Sequence, residues 1–185
     1  MLVSFYGVSG CGKSTIALGF TSYLKSKGKN AEYVGEYVKN LIAEHGENHT
    51  PIYNQLDILV NQNKLLRTFN DKCDYVVTDG GLLNTIVYMF KNKDKQLEFS
   101  KHHIVDLCWS LYDFYEQCFD ILVEPCTDEK LYKDSLRNFS FQEAYNLHYR
   151  FEQLLDYDLT ISNFYEQNVD YQKLYDEISK CELKI

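Results

Sequence analysis

The chain has 185 residues, enough for one domain with a substantial core. Apolar residues make up 45% and charged residues 25%, the balance of a soluble globular protein, and no apolar run approaches the roughly 18 residues of a membrane span. The net charge of −8 argues against broad, sequence-independent binding to nucleic acid, which needs a basic surface.

Reading from the start, Leu2, Val3, Phe5 and Tyr6 form a short apolar run that stops at Gly7. The spacing predicts a strand, and its position at the very start leaves no room for a signal peptide. Gly7-Val-Ser-Gly-Cys-Gly12-Lys13-Ser14 follows and opens an apolar-periodic stretch expected to be helical to about Lys25, with Gly28 as its cap. Strand, glycine loop and helix in that order are the setting that the phosphate-loop motif requires. The glycines let successive N–H groups turn inward around a phosphate, and the helix adds its unpaired N–H groups and the positive end of its dipole. Lys13 would reach the outer phosphates and Ser14 would ligate Mg2+. The expected ATP contacts are therefore Gly7, Ser9, Gly10, Cys11, Gly12, Lys13, Ser14 and Thr15.

Ala31 to Gly35 reads as a second strand, and Glu36 to Gly46 as a helix. Asn48 to Pro51 is a polar loop, and Ile52 to Phe69 is a helix. Asp74-Tyr-Val-Val-Thr-Asp79 is a third strand broken by Gly80-Gly81, after which Leu82 to Phe90 is expected to be helical. Lys91 to Lys95 is a charged turn, and Ile104 to Gln117 a helix around Leu107, Trp109 and Leu111. Phe119 to Val123 is a fourth strand, ended by Glu124-Pro125. Residues 126–139 form a polar, basic segment with Lys130, Lys133 and Arg137. Phe141 to Leu155 is a helix, Tyr157 to Ile161 a fifth strand, and Tyr165 to Cys181 a closing helix. Strands alternating with crossover helices imply an α/β fold, a three-layer α/β/α sandwich around a five-stranded parallel sheet. In such sheets ligands lie beyond the carboxyl ends of the strands, which gathers the loop, Glu36 and Asp79 on one edge.

Asp79 closes an apolar strand, where its carboxylate would hold Mg2+ opposite Ser14 or act as general base; the helix N-cap is the structural alternative. Glu36, one residue past the second strand, is the other candidate base, and the choice between them stays open. Arginine is scarce, with Arg67, Arg137 and Arg150 against sixteen lysines, so each marks a position where a planar, two-pronged donor is useful. Arg137 is the candidate that covers the phosphates and neutralises developing charge. Gln62 and Arg67 are candidate acceptor contacts, and Tyr37 a candidate base-stacking residue. Cys11, Cys73, Cys108, Cys118, Cys126 and Cys181 show no metal-type spacing and read as reduced packing residues; Cys11 is the one considered open to thiol reagents.

Together these residues resemble the P-loop kinases of nucleosides and nucleotides, nearest to the AAA-like group of ribosylnicotinamide kinase domains and phage nucleotide kinases. Gly-Val-Ser-Gly-Cys-Gly-Lys13-Ser14-Thr15 is similar to the superfamily's loop, Glu36-Tyr-Val-Lys39 to the group's Glu-Tyr-Ala-Arg segment, and Asp134-Ser-Leu-Arg137 to its cover segment. Lys39 stands where the group has Arg, and Gly80-Gly81 where related kinases carry an Arg. The resemblance implies one kinase domain with a lid-like segment at about 126–139, using ATP and Mg2+ in a cytoplasm, that of a host if the chain is phage-encoded. The implied acceptor is a nucleoside, a nucleotide or a related ribosyl compound. A hydroxyl on DNA or RNA is the less favoured acceptor, and a P-loop ATPase switch the non-kinase alternative. No membrane partner is expected, and a homodimer is compatible with the sequence.

Overall fold

A computed structural model describes residues 1–46, 54–91, 98–129, 140–162 and 168–182. Five strands alternate with helices in chain order: β1 (Leu2–Tyr6), α1 (Lys13–Ser26), β2 (Ala31–Val34), α2 (Tyr37–His45), α3 (Gln55–Asn70) and β3 (Tyr75–Thr78). They continue as α4 (Asn84–Lys91), α5 (Glu98–Tyr112), β4 (Cys118–Val123), α6 (Phe141–Leu154), β5 (Leu159–Ile161) and α7 (Tyr171–Glu182). The strands form one parallel sheet in the order β2-β3-β1-β4-β5. The expected α/β sandwich with a five-stranded parallel sheet is the fold observed.

Burial explains why the strands were readable. β1 and β3 are buried along their whole length, as a central parallel strand covered on both faces must be, and so their sequences are almost continuously apolar. Edge strands β2 and β5 are only partly buried and correspondingly less apolar. Val3 and Phe5 face α1, where the rings of Phe5 and Phe20 meet edge-on at 6.3 Å, and α7 packs beside α1. Leu2, Ser4 and Tyr6 point the opposite way, toward the layer that contains α3, α4, α5 and α6.

That second layer holds a buried polar group the periodicity gave no warning of. Asp120, paired with Ser4 across β1 and β4, accepts a 2.6 Å hydrogen bond from the Tyr112 hydroxyl. The Ser4 and Tyr6 hydroxyls approach the same carboxyl without completing a hydrogen bond. Burial pushes Asp120 up to about 7, against the smaller opposing effect of the Tyr112 bond.

Several boundaries moved. The third helix begins at Gln55 because Asn54 caps it, accepting from the Asp57 N–H at 3.2 Å. α5 spans Glu98–Tyr112 instead of Ile104 to Gln117, and its end turns through a Tyr115 N–H to Tyr112 carbonyl bond of 2.9 Å. α7 starts at Tyr171 instead of Tyr165, behind Asp170, whose carboxylate accepts from the Lys173 N–H at 3.0 Å. Arg137 and most of the expected 126–139 lid lie outside the described residues. Among the described residues, no helix is long and apolar enough to cross a membrane.

Candidate active site

The sheet order places β1 between β3 and β4, so the chain leaves β1 toward one edge and later crosses to the other side. The carboxyl end of β1 is the switch point of such a sheet. The glycine loop sits there. Gly7, Gly10 and Gly12 have φ of 138°, 82° and 92°, left-handed values that a side chain would resist, and a Cβ on Gly7 would lie 2.6 Å from the Val123 carbonyl oxygen. Gly12 is the N-cap of α1 and Lys13 its first residue, so the unpaired amides of this helix face the loop. Lys13 bends back over the loop, donating from Nζ to the Val8 carbonyl at 2.8 Å.

Across from the loop stands Asp79, fully buried at the end of β3. Three donors meet its two oxygens. The Tyr33 hydroxyl donates to Oδ1 at 2.8 Å, while Ser14 Oγ and Lys39 Nζ both donate to Oδ2. Lys39 Nζ also lies 2.5 Å from Ser14 Oγ and 4.0 Å from Glu36 Oε2. Burial alone would push the Asp79 carboxyl up, but the Lys39 ion pair and the three hydrogen bonds outweigh it and hold it below the usual range. Asp79 is therefore an anion at neutral pH.

Glu36 forms the N-cap of α2, and a double contact on either side of its turn fixes it in place. Gln62, buried on α3, accepts from the Tyr37 N–H at 2.6 Å and donates to the Gly35 carbonyl at 3.2 Å. Beneath the turn, Gly80 approaches so closely that a Cβ there would lie 2.7 Å from Glu36 Cα. Gly81 has a similar reason to be glycine, since its Cβ would fall 2.3 Å from the Tyr6 ring. The glycine pair after Asp79 is thus a packing device: Gly80 lets the β2–α2 turn and Gly81 lets Tyr6 of β1 close on the β3 end.

The result is a cavity of about 140 Å3 lined by Ser9, Gly10, Gly12, Lys13, Ser14, Thr15, Glu36 and Lys39. Of the sequence candidates, Lys13, Ser14, Glu36 and Asp79 come together here. Gly7 and Cys11 are buried members of the loop that do not line the cavity, and the Cys11 thiol is pushed up by burial despite the nearby Lys13, so it is poorly disposed to react with thiol reagents. Gln62 holds the Glu36 turn, and Tyr37 contributes its backbone amide to that contact. Arg67 goes elsewhere: it lies in the last turn of α3, beside the start of β3, with its guanidinium 4.2 Å from the Phe114 ring centroid. Tyr33, which the sequence did not single out, and Lys39, noted there only as standing in place of an Arg, hold Asp79. Their signal was the strand ending at Val34 and the Glu36–Lys39 spacing on the first turn of a helix facing the loop.

The donor set suits Mg2+. A carboxylate oxygen and a hydroxyl oxygen converge on one point already taken by a cationic ammonium, and hard oxygen donors are what this ion requires. Among the described residues no group of three His, Cys, Asp or Glu side chains gathers at metal-binding spacing, so an ion here would draw its remaining ligands from water and phosphate.

A parallel sheet with a glycine loop at its switch point defines a P-loop nucleotide-binding domain. A family model described as an AAA domain matches residues 2–161, and the chain belongs to that family. No curated protein matches it by sequence. Among solved structures it is similar to deoxyadenosine kinase from M. mycoides with bound dATP, at 17% identity and a TM-score of 0.59, over 100% of both chains. It is also similar to Mycobacterium tuberculosis APS kinase in complex with AMPPNP and APS, at 15% identity and a TM-score of 0.55, over 96% of each chain. At these identities the likeness is one of fold.

Proposed function

We propose that this chain is an ATP- and Mg2+-dependent kinase that moves the γ-phosphate to a hydroxyl of a nucleoside, a nucleotide or a related ribosyl compound, the acceptor class of the ribosylnicotinamide kinase and phage nucleotide kinase group. The observation that carries this reading is the meeting of two carboxylates, Glu36 and Asp79, with Lys13 and Ser14 on one sheet edge. A phosphate loop alone binds a triphosphate; a carboxylate facing it across a cleft offers a place for an acceptor hydroxyl. The two kinases of similar fold, one with bound dATP and one in complex with AMPPNP and APS, support the same reading.

In this account the loop amides and Lys13 hold the phosphates, and Ser14 and Asp79 hold the metal. When bound, Mg2+ neutralises charge on the phosphate oxygens. Glu36 then takes the acceptor proton, since Asp79 is buried and committed to the metal and to the Tyr33 hydroxyl. Arg137, in the segment after β4, covers the phosphates as transfer proceeds. The chain acts as a single domain in a cytoplasm, with ATP and a small acceptor as its partners.

The test is a screen for label transfer from γ-labelled ATP to nucleosides, monophosphates, nicotinamide riboside and hydroxymethylated DNA. Transfer to a small acceptor supports the proposal. Transfer only to DNA replaces it with a polynucleotide kinase, and release to water alone replaces it with an ATPase.

A further inference from the structure

Lys39 Nζ lies within hydrogen-bonding distance of both oxygens assigned to the metal, at 2.5 Å from Ser14 Oγ and in an ion pair with Asp79 Oδ2. A point that shares these two oxygens is the point a bridging divalent ion would take. Mg2+ sits about 2.0–2.1 Å from its oxygen ligands, so ion and ammonium cannot both contact the same pair without strong repulsion. The two partners differ in freedom. Asp79 is 0% exposed and held on its other oxygen by Tyr33, whereas the Lys39 side chain is 32% exposed on a flexible stem. Glu36 Oε2, 4.0 Å from Nζ, offers the ammonium a second anionic partner toward the cavity.

We infer that Lys39 is a tethered stand-in for the divalent cation: its ammonium neutralises Asp79 until metal and nucleotide arrive, and they must displace it toward Glu36 and the phosphates. This rests on the kinase reading for the identity of the metal site. The consequence is a coupling. A divalent ion alone competes against a cation of high local concentration and binds weakly. Nucleotide phosphates draw the ammonium away and so make room for the ion, which makes metal and nucleotide binding cooperative. Lys39 acts through this exchange as a positioning residue.

The experiment is a Mn2+ titration followed by electron paramagnetic resonance, with and without adenylyl imidodiphosphate. It uses wild type, Lys39→Met, Lys39→Gln and Lys39→Met with Asp79→Asn added, each checked for folding by circular dichroism. Without nucleotide, both Lys39 variants should bind Mn2+ roughly tenfold or more tightly than wild type, the scale on which one adjacent charge acts on its neighbour. With the analogue bound, that advantage should largely disappear. A Lys39 that only braces the fold would give unchanged or weaker Mn2+ binding in both variants, which would overturn the inference while leaving the kinase reading intact. Nucleotide-free Mn2+ affinity of the Lys39→Met protein that does not fall when Asp79→Asn is added would instead remove the metal site on which the inference rests.

Discussion

Gly80→Ala isolates the acceptor side of the cleft. The residue has no left-handed φ, so an alanine there is conformationally acceptable and the only obstacle is space. Its Cβ would lie 2.7 Å from Glu36 Cα, 3.0 Å from Glu36 Cβ and 3.1 Å from Gln62 Nε2. Ordinary contact begins near 3.4 Å, so the Glu36 backbone must retreat by about 0.7 Å. Overpacking of this kind costs about 1–3 kcal/mol of stability. The kinetic effect should be larger, because an error near 1 Å in a reacting group costs on the order of 100-fold; a fall of roughly 10- to 100-fold in transfer rate is expected. None of the three crowded atoms belongs to the phosphate loop, so affinity for an ATP analogue should change by less than about threefold. Thermal melts, calorimetric titration with the analogue and label transfer to the acceptor found by the screen measure the three quantities. A destabilised variant with full transfer rate would refute the role given to Glu36. Equal losses in nucleotide binding and transfer would refute the separation of the two sides.

Two further substitutions probe the buried carboxyls. Asp120 keeps its proton in the folded protein up to about 7, while the unfolded chain releases it near 4, so the folded state binds more protons between these values and stability falls as pH rises through them. Asp120→Asn should remove that fall, up to about 4 kcal/mol across the interval, and a constant difference from wild type in denaturant midpoints at pH 4 and pH 7 would contradict it. Tyr33→Phe removes a donor to the Asp79 carboxylate and should cost about 1.5–3 kcal/mol at neutral pH. Because the folded Asp79 has a lowered pKa, the cost should shrink as pH falls through and below the ordinary carboxylate range, where the group takes up its proton; a cost independent of pH would speak against the charge-assisted bond.

Much of the fold was legible because central parallel strands are apolar on both faces. Leu2–Tyr6 and Tyr75–Thr78 could hardly be read otherwise. The loop was legible because its chemistry is carried by glycine backbone and by Lys13 and Ser14 next to one another. What escaped was pairwise. The sequence says nothing about which cation meets Asp79, and it marks Lys39 only as standing in place of an Arg, whereas its ammonium lies against Ser14 and Asp79. Gly80-Gly81 read as a strand breaker, whereas its reason is the approach of Glu36 and Tyr6 from distant parts of the chain. Arg67 was singled out by scarcity, and scarcity carries no direction; Phe114 holds it in a cation–π contact. Asp120 looked like one polar residue in an apolar run, and its environment depends on Tyr112 eight residues earlier in α5.

Everything proposed for this protein turns on phosphoryl transfer to a small acceptor at the Lys13–Ser14–Asp79 edge. Label transfer from γ-labelled ATP across the acceptor panel, run side by side for wild type and Lys13→Ala, tests it most directly. Wild type should place label in a nucleoside, nucleotide or ribosyl acceptor, and a Lys13→Ala protein that still melts cooperatively should lose it. Full transfer by that variant, or label released only as free phosphate with every acceptor offered, would contradict it.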